Sequence, residues 1–167
     1  MKSFRCAILF WLVVAMIYGG MSCSRDTNPA APAESQGRTH EAIEQQIHEQ
    51  VNAYRAEQGL GRLSLRSVIT QQARQHSENM ATGRVEFSHN GFEDRISTIA
   101  KSLKLQSAAE NVAYNSGYDN PGKQAVQGWL NSDGHRKNIE GDYNLTGIGV
   151  VEIDGAFYFT QIFVLSN

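Results

Sequence analysis

Three widely separated segments of this sequence hold the side chains best suited to chemistry. His89 ends a Phe-Ser-His segment, Glu110 lies in Ala-Glu-Asn-Val-Ala, and His135 lies in the run from Trp129 to Ile139. Two neutral imidazoles and a carboxylate can hold Zn²⁺ with one position open to water, and the same groups can act as general acid and base. No local metal motif such as His-Glu-x-x-His joins them, so only the fold can bring them together.

A structural role is the alternative for each of these residues. Glu110 would then cap the backbone of a neighbouring loop, and His135 would hold the tight turn just before it. Of the other histidines, His76 lies on the apolar stripe of a predicted helix and is expected in the core, whereas His48 is expected in solvent. Ser132 has His135 nearby but no Gly-x-Ser-x-Gly turn around it, which argues against a serine hydrolase.

Four stretches of the chain have the apolar period of an α-helix and are the elements that would position these segments. In the first, Ile43, Ile47, Val51 and Tyr54 recur between Glu and Gln residues. In the fourth, Pro121 falls in the first turn, where its missing N–H costs nothing. The predicted helices cover about residues 39–58, 65–83, 93–103 and 120–130.

The C-terminal part of the chain has the pattern of a β-hairpin. Residues 147–153 and 157–164 are β-rich, and Asp154-Gly155 between them is a two-residue turn signal. Both faces of the last strand are apolar, so both are expected to be covered. With a further short strand over 108–114, the predicted fold class is α+β, a three-layer α-β-α sandwich with a small antiparallel sheet between helices.

Composition restricts the class of protein. A chain of 167 residues with a hydrophobic fraction of 41% fits one globular domain and excludes a wholly disordered protein. The only cysteines are Cys6 and Cys23, so the folded part has no disulfide framework, cysteine-based zinc site or cysteine nucleophile. Lys2 and Arg5 are the only charges before Cys23, so the chain without residues 1–22 has a net charge of −4, which argues against nucleic acid as a partner.

The N-terminal residues have the pattern of a secretion signal followed by a tether. A positively charged start precedes a continuous apolar stretch of 13 residues, which is too short for an ordinary membrane span. Gly20-Met-Ser-Cys23 resembles a bacterial lipobox, with Gly20 where Leu is usual, and predicts that Cys23 is lipidated; ordinary cleavage with a free Cys23 thiol is the alternative. The predicted organisation is a signal peptide over 1–22, a lipidation site and flexible tether over 23–38, and a domain over 39–167.

The segments that hold His89, Glu110 and His135 occur in this order and are followed by the Gly147-Ile-Gly149 hairpin. Together they resemble the CAP superfamily of cysteine-rich secretory, antigen 5 and pathogenesis-related 1 proteins. The resemblance covers roughly residues 46–164 and is to the bacterial, SCP-like branch. It implies an α-β-α sandwich with a cleft lined by two histidines, here His89 and His135, and an acid, here Glu110. Eukaryotic members have a second Glu three residues after the helix Trp; Ser132 stands at that position, so the family's tetrad is incomplete.

The resemblance implies a non-catalytic binding module, with the cleft around His89, Glu110, Ser132 and His135 taking a lipid, a cell-wall fragment or a protein. One alternative is a metal-assisted hydrolase, with a divalent metal such as zinc on the two histidines and Glu110 as ligand or base. A structural envelope lipoprotein is the other. The expected location is the bacterial cell envelope through the lipid on Cys23, with Ser24 after it favouring the outer membrane, or the exterior if Cys23 is not acylated.

Overall fold

The structure, a computed structural model, describes residues 33–167. Residues 1–32, which include the predicted signal peptide, Cys23 and most of the predicted tether, lie outside the described part of the chain. Within that part, no helix combines the length and the apolar character needed to cross a membrane.

Helices and strands alternate irregularly along the chain. α1 begins at Ala33, earlier than the predicted start near residue 39, and the other predicted helices and strands are present with bounds shifted by a few residues. In chain order the elements are α1 (Ala33–Glu57), β1 (Ser64–Leu65), α2 (Ser67–Ala81), α3 (Phe92–Ala100), β2 (Leu105–Ser116), α4 (Pro121–Leu130), α5 (Asp133–Glu140), β3 (Leu145–Ile153) and β4 (Ala156–Ser166).

The strands form one sheet in the order β1-β3-β4-β2. β3, β4 and β2 are antiparallel, as the sequence predicts, and the short β1 adds a parallel pair to β3 that it did not predict. Asp154 and Gly155 form the β3–β4 turn, with φ of 52° and 76°. Positive φ at both positions is the signature of the type I′ turn that Asp-Gly favours.

Both faces of the sheet are covered by helices, which gives the predicted three layers. On one face, a core cluster includes Phe159 and Phe163 of β4 together with residues of α1, α4 and α5, among them Trp129. On the other face, Ile162 and Val164 pack with residues of α2 and α3. Successive side chains of β4 point to opposite faces of the sheet and therefore pack into two separate cores, as expected for a strand with two apolar faces.

Two local signals place the N-termini of the last two helices. The side chain of Asn120 accepts a hydrogen bond from the backbone N–H of Lys123, and Pro121 follows in the first turn of α4, as predicted. The predicted tight turn at Asp133-Gly134 is instead the first turn of α5. That helix was missed because Ile139 is its only buried residue, so it has no apolar stripe to detect.

Gly147 and Gly149 let the backbone of α2 lie directly against β3. A Cβ on Gly147 would overlap with backbone atoms of Ile69 and Thr70, and one on Gly149 would overlap with those of Ala73 and Arg74. Because backbone cannot move aside as a flexible side chain does, any side chain at these positions separates the helix from the sheet.

We predict that Gly149→Ala lowers the free energy of unfolding by about 2–3 kcal/mol, the upper part of the range for overpacking a well-packed interior. Urea denaturation of the purified protein measures it. Gly128→Ala is the matched control, since Gly128 lies within α4 and a Cβ there meets nothing within 4 Å. That control should stabilise by about 0.5–1 kcal/mol through helix propensity. Equal stability of the two variants would show that α2 does not lie this close to β3.

Candidate functional site

The carboxylate of Glu110 is buried in β2 and paired with Arg95 of α3. Arg95 donates from Nε to Oε2 at 2.9 Å and from Nη2 to Oε1 at 2.8 Å, a two-point contact. The side chains of Arg95 and Glu110 are 10% and 2% exposed. A two-point pair of this kind neutralises the carboxylate and fixes its orientation.

His89 completes this group from the solvent side. Its Nδ1 lies 3.0 Å from Oε1 of Glu110, and about half of its side chain is exposed. Both oxygens of this carboxylate accept from Arg95, and Nδ1 of His89 is the donor to Oε1. Neutral His89 therefore keeps Nε2 as its acceptor nitrogen, facing away from the pair.

His76 of α2 supports the same group from the inside. Nε2 of His76 donates to the carbonyl of Ser88 at 2.9 Å, and Nδ1 accepts from Nη1 of Arg95 at 3.1 Å. Burial lowers the pKa of His76, the Ser88 carbonyl opposes this, and the charge of Arg95 lowers the pKa further. The expectation that His76 is a hydrogen-bonded core residue is confirmed, and its partner is the arginine that holds Glu110.

Hydrogen bonds from two asparagines connect the segment that holds His135 to the segment that holds Glu110. Asn111 donates from Nδ2 to the carbonyl of His135 at 3.1 Å. Asn138 donates from Nδ2 to the carbonyl of Glu110 at 3.1 Å and to Oδ1 of Asn111 at 2.9 Å. α5 therefore lies against β2 at Glu110 and Asn111. Burial, and then the charge of nearby His89, lower the pKa of His135.

A cleft of about 550 Å³ runs along the outer edge of β2. The strand residues 112–116 form one side and α4, including Trp129, forms the other. Ser132 and His135 line it as well, and so does Phe87, two residues before His89. The sequence-predicted residues thus divide into two neighbouring groups: His89 and Glu110 in direct contact, and Ser132 and His135 in the wall of the cleft.

Sequence reasoning missed Arg95 and misplaced His48. Arg95 lies one helical turn before Ile99, which is fully buried, so both residues share one face of α3. The position of an arginine on this apolar face was the one sequence feature that indicated its burial. The expectation that His48 lies in solvent is wrong: it is buried, with Nε2 2.9 Å from the carbonyl of Leu63. The loop after α1 covers it, a contact that no local pattern reveals.

The residues do not fit a zinc ion held by His89, Glu110 and His135. Glu110 already faces the guanidinium of Arg95 with both of its oxygens, and a fixed positive charge beside a ligand opposes a divalent cation. Across residues 33–167, no group of three or more His, Cys, Asp or Glu side chains is placed to hold a metal ion. The chemistry that this chain's own residues offer is an ordered acceptor nitrogen on His89 near a cleft lined by aromatic and polar side chains.

Comparison with known sequences gives a match of residues 48–164 to the family described as CAP, the cysteine-rich secretory protein family. The membrane protein YlbC of Bacillus subtilis is 37% identical over 127 residues, which are 72% of this chain and 34% of YlbC. The chain therefore spans about a third of that relative's length.

Two solved bacterial structures have the same fold. An extracellular protein containing an SCP domain from Bacillus anthracis has a TM-score of 0.65 and 30% identity, over 83% of this chain and 45% of the other. An outer surface protein of Borrelia burgdorferi has a TM-score of 0.64 over 75% of this chain and 94% of the other. At 18% identity, the second match concerns the fold alone.

Proposed function

Since the chain belongs to the CAP family of cysteine-rich secretory proteins, we propose that it is an extracytoplasmic, lipid-anchored protein whose domain binds a ligand in the cleft between β2 and α4. Its relatives support the location: one is named an extracellular protein and one a membrane protein. The ligand classes consistent with such a location are a lipid, a cell-wall fragment or a protein.

The observation that carries a binding role over a catalytic one is the pairing of Glu110. Its carboxylate is 2% exposed and is bonded to Arg95 at both oxygens. A general base must reach the proton that it removes, and a metal ligand must turn a lone pair to the metal. Held by Arg95, the carboxylate of Glu110 instead orients His89. The backbone carbonyl of Glu110 accepts from Asn138 of α5, the helix that carries His135 of the cleft wall.

Native mass spectrometry of the protein purified from the bacterial envelope tests the binding role. We expect a co-purified mass that is lost in Ser132→Phe, because a phenyl ring at that position would fill the cleft. Asn131→Phe is the control, since Asn131 is exposed and next in sequence. Both variants should keep the thermal melt of the original protein. A bound mass that disappears on chelation instead would contradict this proposal and support the metal-assisted hydrolase.

The lipid anchor is tested by Cys23→Ser. We expect the substituted protein to appear in the soluble fraction or to remain unprocessed, because the predicted acylation site has no sulfur to carry a lipid. Even one acyl chain gives only weak membrane binding, and the substituted protein carries none at this position, so the loss of membrane association should be nearly complete. Fractionation of cells followed by an intact-mass measurement gives the result.

Cys6→Ser is the matched control for that experiment, because Cys6 is the only other cysteine in the chain and lies within the predicted signal peptide. It should be processed and should partition with membranes like the original protein. The anchor is disproved if Cys23→Ser behaves in the same way as Cys6→Ser.

A further inference from the structure

Three exposed aromatic side chains line the cleft. Phe87, Tyr114 and Tyr118 are each about half exposed. Phe87 and Tyr114 also line a second hollow of about 360 Å³, together with Tyr158, whose ring centroid is 5.0 Å from that of Tyr114. We call these four residues the aromatic ridge. Large rings left in solvent side by side mark a binding surface, and here the surface continues from one hollow to the next.

The residues that line the two hollows carry no formal charge. None of the described residues that form their walls is Asp, Glu, Lys or Arg, and burial lowers the pKa of His135, which favours its neutral form. A phosphate or carboxylate ligand would find no cation there, and a basic peptide would find no carboxylate. The surface therefore suits an uncharged ligand.

The floor and wall of the cleft offer several hydrogen-bonding groups. Asn115, Ser116, Gln124 and Ser132 contribute amides and hydroxyls. Asn115 is buried and donates from Nδ2 to the carbonyl of Pro121 at 2.9 Å, but among the described residues its Oδ1 has no partner. A sterol or another wholly apolar ligand would cover these groups without bonding to them, which costs free energy.

A peptide added as a further strand is disfavoured along the same edge. The carbonyl of Glu110 accepts from the side chain of Asn138 at 3.1 Å, and that of Val112 accepts from the indole of Trp129 at 3.0 Å. Strand addition needs a row of available backbone groups. Here two carbonyls of the strand edge that borders the cleft are already bonded.

We infer that the cleft and the aromatic ridge bind an uncharged oligosaccharide, an inference that rests on the proposed binding function and names its ligand class. Sugar rings present an apolar C–H face and several O–H groups at their rim. The rings of Phe87, Tyr114 and Tyr118 would cover the apolar faces, and the amides and hydroxyls of the cleft would bond to the rim. The two adjoining hollows give length for more than one sugar unit.

Titration of the full-length protein in lipid nanodiscs with three neutral trisaccharides, chitotriose, cellotriose and maltotriose, tests this inference by calorimetry. At least one should bind saturably, and both Tyr114→Ala and Phe87→Ala should weaken that binding by about tenfold, since an aromatic contact contributes roughly this much. Leu65→Ala is the control, because Leu65 is an exposed large apolar residue outside both hollows. It should leave the affinity unchanged.

The failure of this inference can be separated from the failure of the proposed function. If a fluorescent sterol or a fluorescent fatty acid binds, is lost in Tyr114→Ala, and no trisaccharide binds, the oligosaccharide is wrong and the binding module stands. If no trisaccharide and neither lipid binds, and no co-purified mass depends on Ser132, both are wrong. Trisaccharide binding that is unchanged in Tyr114→Ala and Phe87→Ala would also overturn the inference, because the aromatic ridge would then have no part in it.

Discussion

Replacing Arg95 with methionine should lower the free energy of unfolding by about 3–5 kcal/mol, the usual cost of leaving a buried charge without its partner. Methionine fills a similar length of apolar space, so the loss is mainly that of the guanidinium. The carboxylate of Glu110, 2% exposed, would lose both bonds to Arg95. Chemical denaturation of the purified protein measures the effect.

Two further variants separate the charge from the packing. Arg95→Met combined with Glu110→Gln should be clearly more stable than Arg95→Met alone, since no charge is then buried unpaired. Arg84→Met is the surface control: Arg84 pairs with Glu78, but both side chains are about half exposed, so its removal should cost no more than about 1 kcal/mol. An Arg95→Met variant as stable as Arg84→Met would mean that the pair is not buried in solution.

The same substitution has a consequence for the candidate site. Arg95 bonds to the carboxylate that orients His89 and to the ring of His76. Without it, Glu110 can still accept from Nδ1 of His89, but its carboxylate is no longer held in one orientation. The side-chain resonances of His89 should therefore shift or broaden, even in conditions where Arg95→Met remains folded.

The parts of the fold that the sequence predicted are those with local signals. The β3–β4 hairpin follows from Asp154-Gly155, and the start of α4 follows from Asn120 and Pro121. β1 and α5 were missed because one is only two residues long and the other buries only Ile139. The sheet order depends on contacts between distant segments, which no local pattern specifies.

The candidate site was predicted only through the family resemblance. His89 and Glu110 lie 21 positions apart, and nothing in that spacing indicates their 3.0 Å contact. Arg95 was missed because an arginine beside Glu93 and Asp94 in a helix looks like an ordinary solvated charge. What makes it a site residue is the burial of Glu110, which comes from the packing of α3 against β2.

Trp129→Ala should be as destabilising as the loss of Arg95, at about 3–5 kcal/mol. Trp129 is 1% exposed and lies in the core cluster between the sheet and helices α1, α4 and α5. Its indole N–H also donates to the carbonyl of Val112 at 3.0 Å. Truncation would therefore open a cavity in the larger core and remove a bond to the edge strand.

A second substitution divides those two contributions. Trp129→Phe retains most of the apolar surface but leaves the Val112 carbonyl without the indole donor, so we expect it to cost about 1–3 kcal/mol. Tyr118→Ala is the control for losing an aromatic ring from solvent and should change stability by no more than about 0.5 kcal/mol. Because Trp129 also forms part of the cleft wall, Trp129→Phe should alter ligand binding even where the protein stays folded. If Trp129→Ala and Tyr118→Ala have the same melting temperature, the side chain of Trp129 does not pack against the sheet.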